Sequence, residues 1–217
     1  MNASVAKSVS KQMPKRDRIL DVAEHLFSKR GYDGVTLRQI ASGAEVDVAL
    51  ASYHFGKKID LFKAVLARRA GHFVNARLQL LREAKVAAAP NEPSVEAILT
   101  AFLQPLDDDS DENSPDYTAL IGFINSSPQW APTLMSDLFD GLVHEFIDAL
   151  HKAIPGSNKT DLYWCYNFLS GAVTVTAART GRVDRMSKGL CNSQDFKAQL
   201  ERMIPFFTAG FNQVCKP

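Results

Sequence analysis

Three helical patterns are crowded into residues 15–53, joined by turns too short to let them lie apart. The first runs from Lys15 to Arg30, with Ile19, Val22, Ala23, Leu26 and Phe27 on one stripe. Gly31 stops it, being free to take a positive φ. Thr36 is placed to cap a short second helix, Leu37-Arg38-Gln39-Ile40-Ala41, which ends near Ala44. Glu45-Val46 make a tight turn, and Asp47 can cap a third helix through about Tyr53. Ile40 and Ala41 face inward and Val46 plugs the turn. Two short helices crossing closely over a third make a helix-turn-helix, in which one helix braces and the next offers side chains to a groove.

The rest of the chain is also helical in period, and no segment alternates as a strand. After Gly56, Lys57 opens a longer helix bearing Ile59, Leu61, Phe62, Val65 and Leu66. Pro90 and Pro93 break the pattern. Further helices fit Ser94–Leu103, Tyr117–Asn125, Ala131–Ile154, Thr160–Arg179 and Ser193–Val214, the last with Pro205 as a kink. Asp107 to Asp116 reads as an acidic loop. The expected fold is all-α: a three-helix helix-turn-helix domain followed by a helical bundle. The expected division is a flexible basic arm at 1–14, a head at 15–62 and a body at 63–217.

The net charge of +1 hides a split. Through Lys85 there are 16 Lys and Arg against 8 Asp and Glu; after it, 9 against 16. A basic head on an acidic body suits a polyanion that touches the head alone. The arm, with Lys7, Lys11, Lys15 and Arg16, has no apolar core segment and does not read as a secretory signal. No apolar run is long enough to span a bilayer. Three widely spaced cysteines, Cys165, Cys191 and Cys215, lack metal-ligand spacing and fit free thiols in a cytoplasmic protein.

Residues 16–62 resemble the N-terminal domain of TetR-family regulators. The resemblance rests on Ile19-Leu20-Asp21-Val22-Ala23, Leu26-Phe27, Arg30-Gly31-Tyr32, Thr36-Leu37, Ile40-Ala41, Ala44 and Val46. Above all it rests on Ser52-Tyr53-His54-Phe55-Gly56-Lys57-Lys58, followed by Leu61-Phe62. It implies a homodimeric, ligand-responsive repressor on double-stranded DNA. Thr36, Tyr53, His54, Lys57 and Lys58 would contact backbone phosphate, which sets register. Asp47, Val48, Ala49, Leu50 and Ser52 lie on the recognition helix, and the apolar ones among them suit thymine methyls. Arg38 is the candidate polar base or phosphate contact, and the arm a candidate for the minor groove. The plainer readings are that Tyr53 and Phe55 are core aromatics, His54 a hydrogen-bonded structural histidine, and the two lysines solvated charge. Of the two aromatics, Phe55 suits the core and Tyr53 the interface. Two positions depart from the family pattern. Glu45 stands where Gly is common and a positive φ is needed, and Asp47 stands where Ser or Thr is common.

In the body, the last two long helices are the expected dimer interface by the same resemblance. Ser170, Gly171, Ala172, Ala177 and Ala178 permit close approach. Phe196, Leu200, Ile204, Phe207 and Phe211 recur at helical spacing and serve either that interface or an internal core. Phe73, Leu99, Phe102, Leu103, Phe123, Phe139, Phe146 and Tyr166 are candidates to line a pocket for a small apolar or aromatic effector, with few polar anchors. Catalysis is not expected: there is no nucleophile elbow, Gly-rich phosphate loop or His pair at i, i+4. His144 and His151 lack a third ligand. Asp107, Asp109 and Asp111 miss the Gly and Glu of a calcium loop, with Glu112 and Thr118 in their places. No cofactor or metal is expected. A helical scaffold that ignores DNA is the rival reading, separable by salt-dependent DNA affinity.

Overall fold

The computed structural model describes residues 13–104 and 114–216. The arm with Lys7 and Lys11 and most of the acidic stretch after Asp107 lie outside the described residues. The described residues form ten α-helices and no strand. They are α1 (Lys15–Arg30), α2 (Leu37–Gly43), α3 (Val48–Phe55), α4 (Lys58–Ala88), α5 (Val95–Leu103), α6 (Ser114–Asn125), α7 (Ser136–Ala153), α8 (Lys159–Ala177), α9 (Arg182–Met186) and α10 (Phe196–Val214).

The apolar stripe of α1 closes the head as its period demands. Ile19, Ala23 and Phe27 are fully buried with Ile40 and Ala41 of α2 and Ala51 of α3. Leu61, Phe62, Val65 and Leu66 from the first turns of α4 complete the same core. Burying Phe27 or Phe62 contributes roughly 1.5–3 kcal/mol each. Leu120 and Ile124 of α6 and Leu134 join this cluster, so the body supplies one wall of the head. The remaining two-thirds of α4 lies in the body core with α5, α7, α8 and α10. The boundary drawn at 62/63 therefore falls inside one unbroken helix.

Four expectations need correction. Asp116 is not in a loop, because α6 starts at Ser114; Pro115 is compatible with a first helical turn, where its missing N–H costs nothing. The helix expected at Ala131–Ile154 opens instead with a wide π turn over Ala131–Met135, with Pro132 in its first turn, before α7 begins. The short α9 buries no side chain, so it left no apolar period to read. The last helix begins at Phe196, capped by Asp195, whose carboxylate accepts the Ala198 N–H at 3.0 Å. Ser193 is used elsewhere: its N–H and hydroxyl both donate to the Asp184 carboxylate at 2.6 Å. Pro205 lies within α10, which continues past it to Val214. No helix among the described residues is long and apolar enough to cross a membrane.

Candidate functional site

The α2–α3 pair is set by local chemistry. The Thr36 hydroxyl accepts the Gln39 N–H at 3.2 Å, and the Gln39 side-chain oxygen accepts the Thr36 N–H at 2.8 Å, a closed capping box. Thr36 is thus the N-cap that its position suggested, but its own N–H is spent inside the chain. Gly43 lets α2 cross α1, since a Cβ there would sit 2.7 Å from a Val22 methyl. Glu45 takes φ 51°, the left-handed turn conformation anticipated at this non-glycine position. The Val46 N–H donates to the Ala41 carbonyl at 3.0 Å and draws α3 across. Asp47 occupies the N-cap position of α3 but makes no side-chain cap bond, so its carboxylate does not hold the helix as expected. Gly56 ends α3 at φ 72°.

Exposure sorts the recognition residues. Val48, Ala49, Ser52 and Tyr53 are exposed at positions i, i+1, i+4 and i+5, one face of a helix. Tyr53 is 83% exposed, while Phe55 is buried with the Arg16 guanidinium 5.3 Å over its ring. His54 is exposed beside Tyr53, and Leu50 is half-buried. Arg38 is exposed in the first turn of α2.

The two lysines part company. Lys57 is exposed at the N-cap of α4. Lys58 is half-buried: its ammonium donates to the Tyr32 and Val35 carbonyls at 3.0 Å each and lies 4.0 Å over the Tyr32 ring. The Lys58 ammonium is therefore spent on closing the α1–α2 turn and does not stand ready at the helix N-terminus, contrary to its expected role. A lysine's four-carbon stem is long enough to turn inward, and no sequence pattern separates the two choices.

Three contacts tie the head to the body. Arg68 of α4 donates to Asp21 at 2.6 Å and to Glu24 at 2.7 Å, and Arg69 donates to the same Glu24 oxygen at 3.0 Å. Trp130 stacks its edge on Tyr32, with centroids 5.0 Å apart, and packs against Phe62. Asp116 of α6 accepts from Lys29 at 2.9 Å and lies 2.7 Å from His25, both on α1.

A cavity of about 80 Å³ lies between α4, α5, α6, α7 and α8. Of the expected lining, Phe73, Phe102, Phe139 and Tyr166 face it. Leu99, Leu103 and Phe146 are packed in the core instead, and Phe123 is half-exposed on the head side, its ring over Gly31. All four sit at helical spacing, which does not say which way a ring turns. The cavity also carries polar groups beyond the few anticipated: Arg77, Tyr117, Thr118, Asn125, Ser170 and Thr174. Asn125 donates to Ser170 and Thr174 at 2.8 Å each, joining α6 to α8. The Tyr117 hydroxyl donates to the Leu66 carbonyl at 3.1 Å, and its ring stacks on Phe73 at 5.3 Å, joining α6 to α4. Burial pushes the Tyr117 hydroxyl well above the usual phenol range.

On the outer face of α8, Trp164, Phe168 and Val175 are more than half exposed, as is Phe206 on the neighbouring α10. Phe196, Leu200 and Phe211 are buried in the chain's own core, which decides between the two readings left open for them. His144 and His151 form no metal site; His151 pairs with the Ser157 hydroxyl at 3.0 Å. No group of His, Cys, Asp and Glu among the described residues is arranged to hold a metal ion.

A helix-turn-helix head fused to an all-helical body is the architecture of a transcriptional regulator. Residues 19–65 match the model of bacterial regulatory proteins of the tetR family, and residues 96–210 match the tetracyclin repressor-like C-terminal domain. The chain belongs to the TetR family of transcriptional regulators. It is 31% identical over 64 residues to the negative transcriptional regulator IcaR of the biofilm operon icaADBC of Staphylococcus epidermidis, covering 30% of this chain and 35% of that one. It is 30% identical over 96 residues to the transcriptional activator FasR of Mycolicibacterium smegmatis, covering 44% and 42%. The chain thus matches less than half the length of these curated relatives. Its fold is similar to that of FadR from Bacillus subtilis, solved in complex with stearoyl-CoA, at TM-score 0.59 and 15% identity over 89% of this chain and 98% of that one.

Proposed function

We propose that this regulator is a homodimeric repressor that leaves a palindromic operator when a small hydrophobic effector enters the cavity of its body. It acts in the cytoplasm by binding, without catalysis or a cofactor. The observation that carries this reading is the placement of α4. Its first turns belong to the head core, Arg68 and Arg69 hold α1, and Phe73 and Arg77 line the cavity. An effector that prefers one placement of α4 thereby prefers one placement of the head, and only that difference in affinity can shift the population.

Exposed Val48, Ala49, Ser52 and Tyr53, with Leu50 partly covered, would meet base edges and backbone, with Arg38, Lys57, Thr36 and His54 at the phosphates. Asp47 would face the same surface and repel phosphate. Two heads pair through α8 and α10, where Trp164, Phe168, Val175 and Phe206 leave apolar surface uncovered. The pairing sets half-sites about one helical turn apart, roughly 34–36 Å.

Footprinting of the full chain on the DNA flanking its own coding region, with excess nonspecific competitor, tests the reading. A protected inverted repeat overlapping a promoter supports repression. No protected site there, or in a selection from random DNA, contradicts it.

A further inference from the structure

Arg77 sits in the cavity wall on α4, only 7% exposed. Its Nε donates to the Phe102 carbonyl at 2.8 Å, and its guanidinium lies 4.8 Å over the Phe102 ring. Among the described residues no carboxylate lies within ion-pair distance of it, and its two terminal nitrogens make no hydrogen bond. Both keep some accessible surface, and Arg77 is part of the cavity wall. A buried cation without an anion carries a desolvation penalty, so proteins seldom keep one without use. Burial pulls this guanidinium down to about 10, which still leaves it charged at neutral pH. The titratable groups facing it are the phenols Tyr117 and Tyr166, both pushed up by burial and so neutral there.

We propose that the effector is an amphipathic carboxylate, a medium-chain fatty acid or an arylalkanoic acid, whose carboxylate pairs with the terminal nitrogens of Arg77. This rests on the effector reading above and names the effector's chemical class. The planar fork of a guanidinium fits a carboxylate in two parallel hydrogen bonds. The apolar tail lies along Phe73, Phe139, Ile121 and Val143, where no other charged side chain lines the wall. An acyl thioester or ester offers Arg77 a neutral carbonyl and leaves the cation uncompensated, so the free acid is the preferred form. Because Arg77 stands on α4, one turn beyond Phe73, the anion acts directly on the helix that carries the head.

The test titrates the full-length protein with octanoate, decanoate, dodecanoate and 4-phenylbutyrate, each beside its methyl ester, by calorimetry and thermal melting. The expected result is that at least one acid binds about tenfold tighter than its ester. Arg77→Met loses that preference, while Arg77→Lys keeps part of it. Arg77→Met also melts no lower than the parent without ligand, since it removes an uncompensated charge. A variant that melts much lower, with Arg77→Lys restoring stability but no acid preference, marks Arg77 as a strut and overturns the inference. Esters that bind as tightly as acids to both proteins overturn it while leaving the effector reading standing. If neither acids nor esters bind a protein that still holds its operator, the inference and the effector reading both fall.

Discussion

Lys29 of α1 and Asp116 of α6 are 2.9 Å apart, and the next residue on α6, Tyr117, lines the cavity and bonds the Leu66 carbonyl on α4. Two consecutive side chains thus hold the head and line the chamber. Burial alone would raise the Asp116 carboxyl, but the bonds from Lys29 and His25 outweigh it and hold the group below the usual carboxylate range. A folded-state pKa below the unfolded one stabilises the fold fully above about pH 4, and that stability is lost as pH falls through the depressed value. Asp116→Asn should therefore cost about 1 kcal/mol in urea unfolding at pH 7 and less near about pH 2, as protonation of the carboxylate removes the pairing. Equal costs at both values would refute the pairing.

Glu24 is 1% exposed and receives both Arg68 and Arg69. Removing its carboxylate takes one partner from each of two guanidiniums in the seam between α1 and α4. Glu24→Ala should cost roughly 3–5 kcal/mol, the range for breaking one side of a buried pair. The loss should be seen in chemical denaturation, and a cost under about 1 kcal/mol would mean that solvent screens the seam.

Glu45 is held at φ 51° in the turn between α2 and α3. A side chain there is strained by about 1–2 kcal/mol, and a glycine's extra freedom in the unfolded chain takes back part of the relief. Glu45→Gly should raise stability by roughly 0.5–1 kcal/mol without weakening DNA binding. A drop in melting temperature would show that the Glu45 side chain has a role of its own.

Cys165 and Cys215 are buried with their sulfurs 3.7 Å apart, and Cys191 is exposed. Burial, with the neighbouring Cys165 thiol, pushes Cys215 up to about 12. A thiol reagent at pH 8 should modify Cys191 in the native chain and reach the other two only in denaturant. Rapid native labelling of Cys215 would contradict the packing of α8 against the C-terminal end of α10.

The head was legible in the sequence because its signals are local. Gly31 marks the end of α1, Thr36 the start of α2, and Gly56 the end of α3. The body was legible as helices, since apolar residues recur at helical spacing and Pro90 and Pro93 break the pattern between α4 and α5. What the sequence did not carry was the direction of single side chains. Lys57 and Lys58 are neighbours with opposite environments, decided by carbonyls at Tyr32 and Val35, more than twenty residues earlier. Phe102 and Phe146 stack edge to face, yet only Phe102 reaches the cavity. Arg77 sat unnoticed on a helix of mixed polarity, because its isolation is a property of what surrounds it in space.

In the proposed reading this head binds DNA through the exposed face of α3 and the start of α4. The most direct measurement is the affinity of the full chain for its operator across a range of salt, with Tyr53→Ala, Lys57→Ala and Lys58→Ala alongside. The parent's affinity should fall steeply with salt. Tyr53→Ala should bind more weakly, and Lys57→Ala should give a log–log slope shallower by about 1 with the melting temperature unchanged. Lys58→Ala should instead lower stability by roughly 1–3 kcal/mol, because the Val35 carbonyl loses its donor and the Tyr32 carbonyl keeps only the Val35 N–H. An affinity indifferent to salt, or unchanged by both Tyr53→Ala and Lys57→Ala, would contradict the claim.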